Sequence, residues 1–408
     1  MPDGTARSWR DFPASVWTLG FVSLLMDISS ELVHSLLPVF LVTVIGASTV
    51  TIGLIEGIAE ATAAIAKVFS GVLSDRLGKR KLLAGIGYAL SALTKPMFPL
   101  ASTAGEVLAA RFVDRVGKGI RGAPRDALVA DITPDEIRGA AYGLRQALDT
   151  VGAVAGPLLA IALMALYAND FRAVFWWATI PAALSVILIF AGIQEPDGLK
   201  KSEARGWPLP KADLVRLPSR YWAVISIGVV FTLARFSEAF LVLKAQSVGL
   251  SLALVPLVFV WMNLVYAAVA TPAGSLSDRI GREKVLWFGL LALVAADLAL
   301  AVLPGLLGIA IGVGLWGIYL GLSQGLLSAL VADTAPEDLR GTAFGLFNLV
   351  TGIALLAASL FAGWLWQAFG PAPTFLAGAL FAGLAALLMA PRITWDKNGG
   401  VKGPLQNR

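Results

Sequence analysis

Acidic and basic side chains recur at helical spacing inside stretches that are otherwise apolar. Ser30 and Glu31 lie three and four residues after Asp27 and four and three before His34, so a helix presents all four on one face. Arg111, Asp114, Arg115, Lys118, Arg121, Arg125 and Asp126 fall within an arc of about 140° at roughly 100° per residue. Glu56, Glu60 and Lys67 share a face of another segment, and Arg145 and Asp149 lie one turn apart on a fourth. The second half of the chain is sparser, with Arg235, Glu238, Asn263, Tyr266, Asp297, Gln324 and Asn348. Two kinds of chemistry follow. A carboxyl group among apolar neighbours is driven towards its neutral form by desolvation and back by a nearby base, so it can take up and release a proton. Asp27 and Glu31 are the candidates. His34, the only histidine, lies one turn beyond Glu31, and an unperturbed imidazole titrates near pH ~6.5, which suits a proton relay. Arg115, Lys118 and Arg121 can hold an anionic group, with Asp149, Arg235, Glu238 and Gln324 completing a candidate binding site. The same groups also fit an ion-pair network that only ties helices together, a reading that suits Glu56, Glu60, Lys67, Arg111 and Arg145 best.

The elements that must position these groups are long apolar helices. The chain has 408 residues, is 57% hydrophobic and 14% charged, whereas soluble domains carry about 25% charged residues. Runs such as 173–193, 221–243 and 371–390 suffice to cross a bilayer core, which takes roughly 20 helical residues. Lipid satisfies no bare backbone group, so each run is expected to be a helix, and the alternating segments of a barrel are absent. Helices are predicted near 16–44, 50–74, 81–101, 105–130, 141–167, 172–193, 221–246, 252–276, 284–303, 306–333, 341–368 and 372–391. Arg76, Lys79, Arg80, Lys81, Arg138, Arg279, Arg282, Lys284 and Arg340 belong to one set of loops, and the other set offers only Arg172. That asymmetry places the first set and both termini in the cytoplasm and explains the net charge of +5 without nucleic acid. No cleavable leader is expected, because the first apolar run is long enough to be retained.

There is no cysteine, and no metal-ligand spacing, phosphate loop or nucleophile elbow. The Gly312–Gly317 match to a dinucleotide pattern lies inside an apolar span, where it reads as helix packing. An enzyme, a cofactor and a metal are not expected. Without an ATP site, any active transport would draw on an ion gradient.

The chain also repeats itself. Gly71-Val-Leu-Ser-Asp75-Arg76-Leu-Gly78-Lys79 returns as Gly274-Ser-Leu-Ser-Asp278-Arg279-Ile-Gly281-Arg282, and the stretch Ala130 to Leu144, holding Arg138, returns as Ala332 to Leu346, holding Arg340. Both copies lie on the same side of the membrane, so the halves are related by a pseudo-two-fold axis along its normal. The expected division is 1–193, a linker 194–220 that is polar and basic (Lys200, Lys201, Arg205, Lys211, Arg216), and 221–408.

The Gly71–Lys81 stretch resembles the loop signature Gly-x-Leu-x-Asp-Arg-x-Gly-Arg/Lys-Arg/Lys of the major facilitator superfamily, and the second copy resembles it less completely after Arg282. Gly152-Ala-Val-Ala-Gly156-Pro157 is similar to the Gly-x-x-x-Gly-Pro element that the family associates with antiporters, though it also allows simple close packing. The resemblance spans essentially the whole chain, nearest to the drug/proton-antiporter-like bacterial branch. It implies an all-α membrane protein of twelve transmembrane helices in two pseudo-symmetric six-helix bundles, with helices 1, 4, 7 and 10 lining a cavity. It implies a gating role for Asp75, Arg76, Gly78, Lys79, Arg138, Asp278, Arg279 and Arg340. Asp75 would face the start of helix 11 near Thr342, and Asp278 the start of helix 5; the basic members also serve as topology determinants. Arg115-Val-Gly-Lys118-Gly119-Ile-Arg121 is similar to a family signature Arg-x-x-Gln-Gly-x-Gly but departs from it at Lys118 and Arg121. That departure favours an anionic or zwitterionic cargo.

The expectation is therefore a secondary transporter of the bacterial cytoplasmic (inner) membrane. It would act as a monomer on a small molecule and protons, by proton-coupled antiport. Proton-coupled uptake of an anionic nutrient or metallophore is the alternative, and a non-transporting receptor the third reading.

Overall fold

The computed structural model describes residues 12–134, 137–195, 211–336 and 339–390, apart from the side chains of Asp75, Lys211 and Ala212. The expected placement of the termini, the linker bases Lys200, Lys201 and Arg205, and the Asp75 carboxylate lie outside the described residues. Every described element is a helix. They run α1 (Ala14–His34), α2 (Leu37–Thr43), α3 (Thr49–Leu77), α4 (Arg80–Thr94), α5 (Met97–Leu100), α6 (Ala104–Ile132), α7 (Arg138–Leu166), α8 (Phe171–Trp177) and α9 (Thr179–Gly192). After the short α10 (Lys211–Arg216) come α11 (Ser219–Leu233), α12 (Ala239–Ser247), α13 (Leu257–Ile280), α14 (Arg282–Val302), α15 (Gly305–Thr334), α16 (Arg340–Phe369) and α17 (Pro371–Met389).

Eight spans among the described residues are long and apolar enough to cross a membrane. The helices that fall short include α3 and α6, the two that carry Glu56, Glu60 and Lys67 and the run of bases and acids from Arg111 to Asp126. Joined across their breaks, the segments agree with the twelve expected crossings. Leu93, Leu166, Val302 and Leu387 are exposed on the outside, as suits a surface turned to lipid.

Three of the breaks have a proline cause, since proline removes an N–H from the helical ladder and clashes with the carbonyl four residues earlier. Pro38 sits in the first turn of α2, Pro96 precedes α5, and Pro181 lies in the first turn of α9. All four helices (16–44, 81–101, 172–193 and 221–246) read as continuous, and the last opens at residues 234–238 between α11 and α12 for a different reason. No proline is present there. The Ser237 N–H donates instead to Ser359 Oγ on α16 (3.2 Å), and the Ala239 N–H donates to Ser237 Oγ (3.2 Å). Hydroxyl groups thus take over bonds that the helix would have made itself.

The repeated motif shows why its glycines are there. Gly78 ends α3 at φ 62° and Gly281 ends α13 at φ 91°, a left-handed region that costs a side chain but not glycine. Each donates its N–H back to the helix it ends, Gly78 to Ser74 O and Gly281 to Ser277 O, both at 2.9 Å. The two halves also share an ion pair, Arg80 with Asp131 in the first and Arg282 with Asp333 in the second. The start of α4 is closed by a distant carboxylate: Glu195 accepts from the Lys81 N–H (2.9 Å) and the Leu82 N–H (3.2 Å). Glu195→Ala should cost about 1 kcal/mol, as for loss of other N-terminal caps, read as a small drop in the thermal midpoint of the detergent-solubilised protein. An unchanged midpoint would remove the cap from the account.

The first nine helices pack largely on one another, as do α11–α17 apart from α16, whose main partner is α3; the two groups also meet at α7 with α13 and α2 with α12. The α3–α16 seam depends on small residues. A Cβ on Gly53 would stand 2.2 Å from Ser359 O, one on Gly57 2.7 Å from Leu356 Cδ1, and one on Gly363 2.5 Å from Thr49 O. Thr49 Oγ1 donates to Gly363 O at 3.0 Å. The seam therefore seals the end of the molecule away from the basic loops. Towards the basic end, Gly139, Gly143 and Gln146 of α7 and Thr271, Gly274 and Leu276 of α13 are exposed, and no atom of another helix lies within 4 Å of a Cβ built on Gly143 or Gly274. The halves are parted there, and the molecule is open towards its basic end.

Candidate functional site

The acids of α1 are backed by glycine. A Cβ on Gly152 would lie 2.9 Å from Asp27 Cβ, and one on Gly156 would lie 2.9 Å from Glu31 Cβ and 2.8 Å from Ile28 O. The Gly152–Pro157 element thus brings α7 directly against the two carboxyl-bearing turns of α1, with Gly152, Gly156 and Pro157 all buried.

From Glu31 a chain of polar contacts runs inward. His34 Nδ1 lies 3.5 Å from Glu31 Oε2, and His34 Nε2 lies 3.5 Å from Glu56 Oε2. Glu56 Oε2 in turn accepts from Arg111 Nη2 at 2.6 Å. The side chain of Glu31 is 20% exposed, whereas those of Glu56 and Arg111 are at 2% and 3%. The chain therefore has an accessible end and a sealed end, with the only imidazole between two carboxylates. Phe259 of α13 stacks at a tilt 5.0 Å from the His34 ring, so the second half touches this relay.

On α6 the three expected anion-binding bases part company. Arg115 reaches Glu60 Oε1 at 3.4 Å. Lys118 is exposed and lies within electrostatic reach of Glu60, Glu31 and Asp27. Arg121 turns the other way: it donates to Ser91 Oγ (2.6 Å) and lies 4.9 Å over the Tyr88 ring. Its place is the α4–α6 interface, which Gly87 and Gly117 bring close enough for their added Cβ atoms to meet backbone at 2.6 Å. Asp149 accepts from Arg145 Nη1 at 2.6 Å and stands 4.0 Å from Arg125 Nη1.

Arg235 and Glu238 both fall in the break between α11 and α12. Arg235 is within electrostatic reach of Tyr319, Glu238 and Glu60, and Glu238 is within such reach of His34, Glu60 and Glu31. The break thus presents one base and one acid to the acids of the first half. Gln324 is exposed on α15. The structure brings Asp27, Glu31, His34, Glu60, Arg115, Lys118, Arg235 and Glu238 together between the halves, while Arg121 bonds to Ser91 and stays within electrostatic reach of Asp27.

Sequence reasoning missed three contributors. Lys95, 1% exposed, donates to Asp114 Oδ1 (3.0 Å) and Ser30 Oγ (3.1 Å); beside Pro96 it reads as an interfacial cation. Tyr319 and Ser359 read as ordinary residues of apolar helices, and nothing in the sequence marks either. Of the expected gating residues, Arg76, Lys79, Asp278, Arg279 and Arg340 are exposed and Arg138 half-buried. Asp278 is exposed because the halves are parted at its end.

No group of three or more histidine or acidic side chains suited to a metal occurs among the described residues. The sequence matches the model of the Major Facilitator Superfamily over residues 19–352 and 225–407. The chain belongs to that superfamily. It is 33% identical over 386 residues to an uncharacterized MFS-type transporter of Methanocaldococcus jannaschii, covering 93% of this chain and 95% of the relative. It is 29% identical over 334 residues to a class C tetracycline resistance protein of Escherichia coli, covering 72% of this chain and 78% of that protein. Its fold matches the crystal structure of a bacterial homolog of the human lysosomal transporter Spinster, in an inward-facing and occupied conformation, with a TM-score of 0.75 at 15% identity over 96% of this chain and 100% of that one. The protein is a multi-pass membrane transporter of small molecules, not an enzyme.

Proposed function

We propose that the protein is a proton-coupled antiporter that expels a small anionic or zwitterionic compound across the cytoplasmic membrane by alternating access, with its basic loops in the cytoplasm. The observation that carries the reading is the relay Glu31–His34–Glu56–Arg111, whose accessible end faces Lys118 and the Arg235–Glu238 break. Lys118 and Arg235 can hold the anionic group of the cargo, while its cationic group pairs with Glu31 only once that carboxyl has lost its proton. Cargo and proton thus compete for one charge balance. The mixed bases and acids, Lys118 and Arg235 against Glu60 and Glu238, suit a cargo that carries both signs. Export is supported by Gly152 and Gly156 touching the acid-bearing turns of α1, and by the relative named as a tetracycline resistance protein, since a membrane transporter confers resistance by lowering the internal concentration.

The test is a proteoliposome assay with an enclosed pH-sensitive dye and a panel of small anions and zwitterions. Addition of a transported compound should move protons opposite to it, and Glu31→Gln should abolish that movement while the protein stays folded. Unchanged proton flux in both Glu31→Gln and Asp27→Asn would sink the assignment. Proton movement in the same direction as the compound would instead establish uptake by symport.

A further inference from the structure

Asp297 stands apart from the relay. It lies in α14, is 0% exposed, and neither of its carboxyl oxygens has a hydrogen-bond partner. Its surroundings are apolar and close. A Cβ on Gly378 of α17 would lie 2.4 Å from Asp297 Oδ2 and 3.0 Å from Phe236 Cε1, so Phe236 and Asp297 both press on the same glycine. Phe236 belongs to the α11–α12 break and is ringed by Phe240, Trp316 and Phe375, with centroids 5.6, 5.5 and 5.4 Å away.

The charges around it do not compensate it. Helix α17 has no ionisable residue over Pro371–Met389. Helix α13 offers Tyr266 and, at its basic end, Asp278 and Arg279; α15 offers Asp333, engaged with Arg282, and Tyr319. Only Tyr319 is within electrostatic reach of Asp297, and it is within such reach of Arg235 as well. The ionisable residues of α14 itself, Arg282, Glu283 and Lys284, are at the far end of that helix. An ionised carboxylate without a hydrogen bond or counter-charge in such a place is very costly, and it takes a proton instead.

We propose that Asp297 is a second proton-binding site, filled in the conformation open at the basic end and emptied when the α11–α12 break moves. The Asp297 O–H bond breaks to leave a carboxylate, and the proton passes to water on the side then open. Phe236 is the apolar cover that must shift. Arg235, next to Phe236 in the chain and within electrostatic reach of Tyr319, is the cation placed to meet the carboxylate once Phe236 has moved. Because Arg235 and Glu238 of the same break face the relay of the first half, the break links the two proton sites. A bound metal cation is a poorer fit, since such ions gather several oxygen ligands and the surroundings of Asp297 are mostly carbon.

The site is tested on the full chain in liposomes, without cargo. Infrared difference spectra over a neutral-to-alkaline pH jump should show the carbonyl band of a protonated carboxyl that Asp297→Asn removes. Gly378→Ala, which keeps the carboxyl but adds a methyl against Oδ2, should shift that band, so the assignment survives misfolding of the first variant. The chain has no cysteine, so spin labels at Gly143→Cys and Gly274→Cys report opening of the basic end alone. Raising the pH should shift their distance distribution, and Asp297→Asn should lose that shift. An unaltered band in both variants, a shift retained in Asp297→Asn, or a response to sodium in place of pH would overturn the proposal. None of these readouts depends on Glu31, whose role is decided separately by the dye assay.

Discussion

Arg111→Ala should destabilise the first half by roughly 3–5 kcal/mol, the usual cost of removing one partner from a buried ion pair. Arg111 and Glu56 are 2% and 1% exposed and meet at 2.6 Å. Without the guanidinium, Glu56 keeps His34, at 3.5 Å, and the more distant charge of Arg115, and Glu56 Oε1 has no hydrogen-bond partner to begin with. The measurement is the unfolding midpoint in detergent for Arg111→Ala, Glu56→Gln and an Arg111→Leu/Glu56→Leu pair. The paired change should recover much of the loss, because two apolar side chains leave no charge behind. If Arg111→Ala unfolds with the parent, the pair carries no structural weight and the whole relay is free to titrate. Arg111 is thus expected to be the fixed end of the relay, with Glu31 the end that exchanges.

Gly53→Leu should prevent the end away from the basic loops from closing while leaving each half folded. The clash is with backbone: the first atom of the new side chain would lie 2.2 Å from Ser359 O and 3.0 Å from Ser359 C. No rotamer change of a neighbour relieves it, and packed interfaces yield little. Each ~1.4 kcal/mol withdrawn from the closed seam is about a tenfold shift in the population open at that end. The reporter is a single cysteine at Ala61, which is 7% exposed and faces Gly352 across the same seam. A membrane-impermeant maleimide should label Ala61→Cys slowly in the parent and at least about tenfold faster with Gly53→Leu, given the same conversion. Equal labelling rates would show that the α3–α16 seam is not what closes this end. Loss of folding in Gly53→Leu is checked by the thermal midpoint, and Gly57→Leu, which meets Leu356 Cα at 2.9 Å, repeats the test one turn along.

The two predictions concern different aspects of the same arrangement. Charge in the first half is locked by burial, and motion between the halves is allowed by glycine. Substitutions of the first kind should alter stability and coupling together. Those of the second should alter the balance of conformations and leave the charge network as it is.

Much of this protein was determined by local chemistry that the sequence carries openly. Long apolar runs must be helices in lipid, so the all-helical architecture and its two halves were legible without coordinates. The same holds for Gly78 and Gly281, whose positive φ at helix ends follows from a repeated motif, and for the acid face of α1, which follows from spacing alone. Spacing also grouped Arg121 with Arg115 and Lys118, and there it was insufficient. An arc of a helix is wide enough to touch two neighbours, and only the packing of α4, through Gly87, decided that Arg121 is held by Ser91 and Tyr88 while still within electrostatic reach of Asp27. The α11–α12 break depends on Ser237 meeting Ser359, residues far apart in the chain, and no local rule contains that meeting. Lys95 with Asp114, and Asp297 without any partner, are likewise facts of the tertiary structure. Whether a buried charge is matched or stranded depends on what folds against it, which the residue's own helix does not specify.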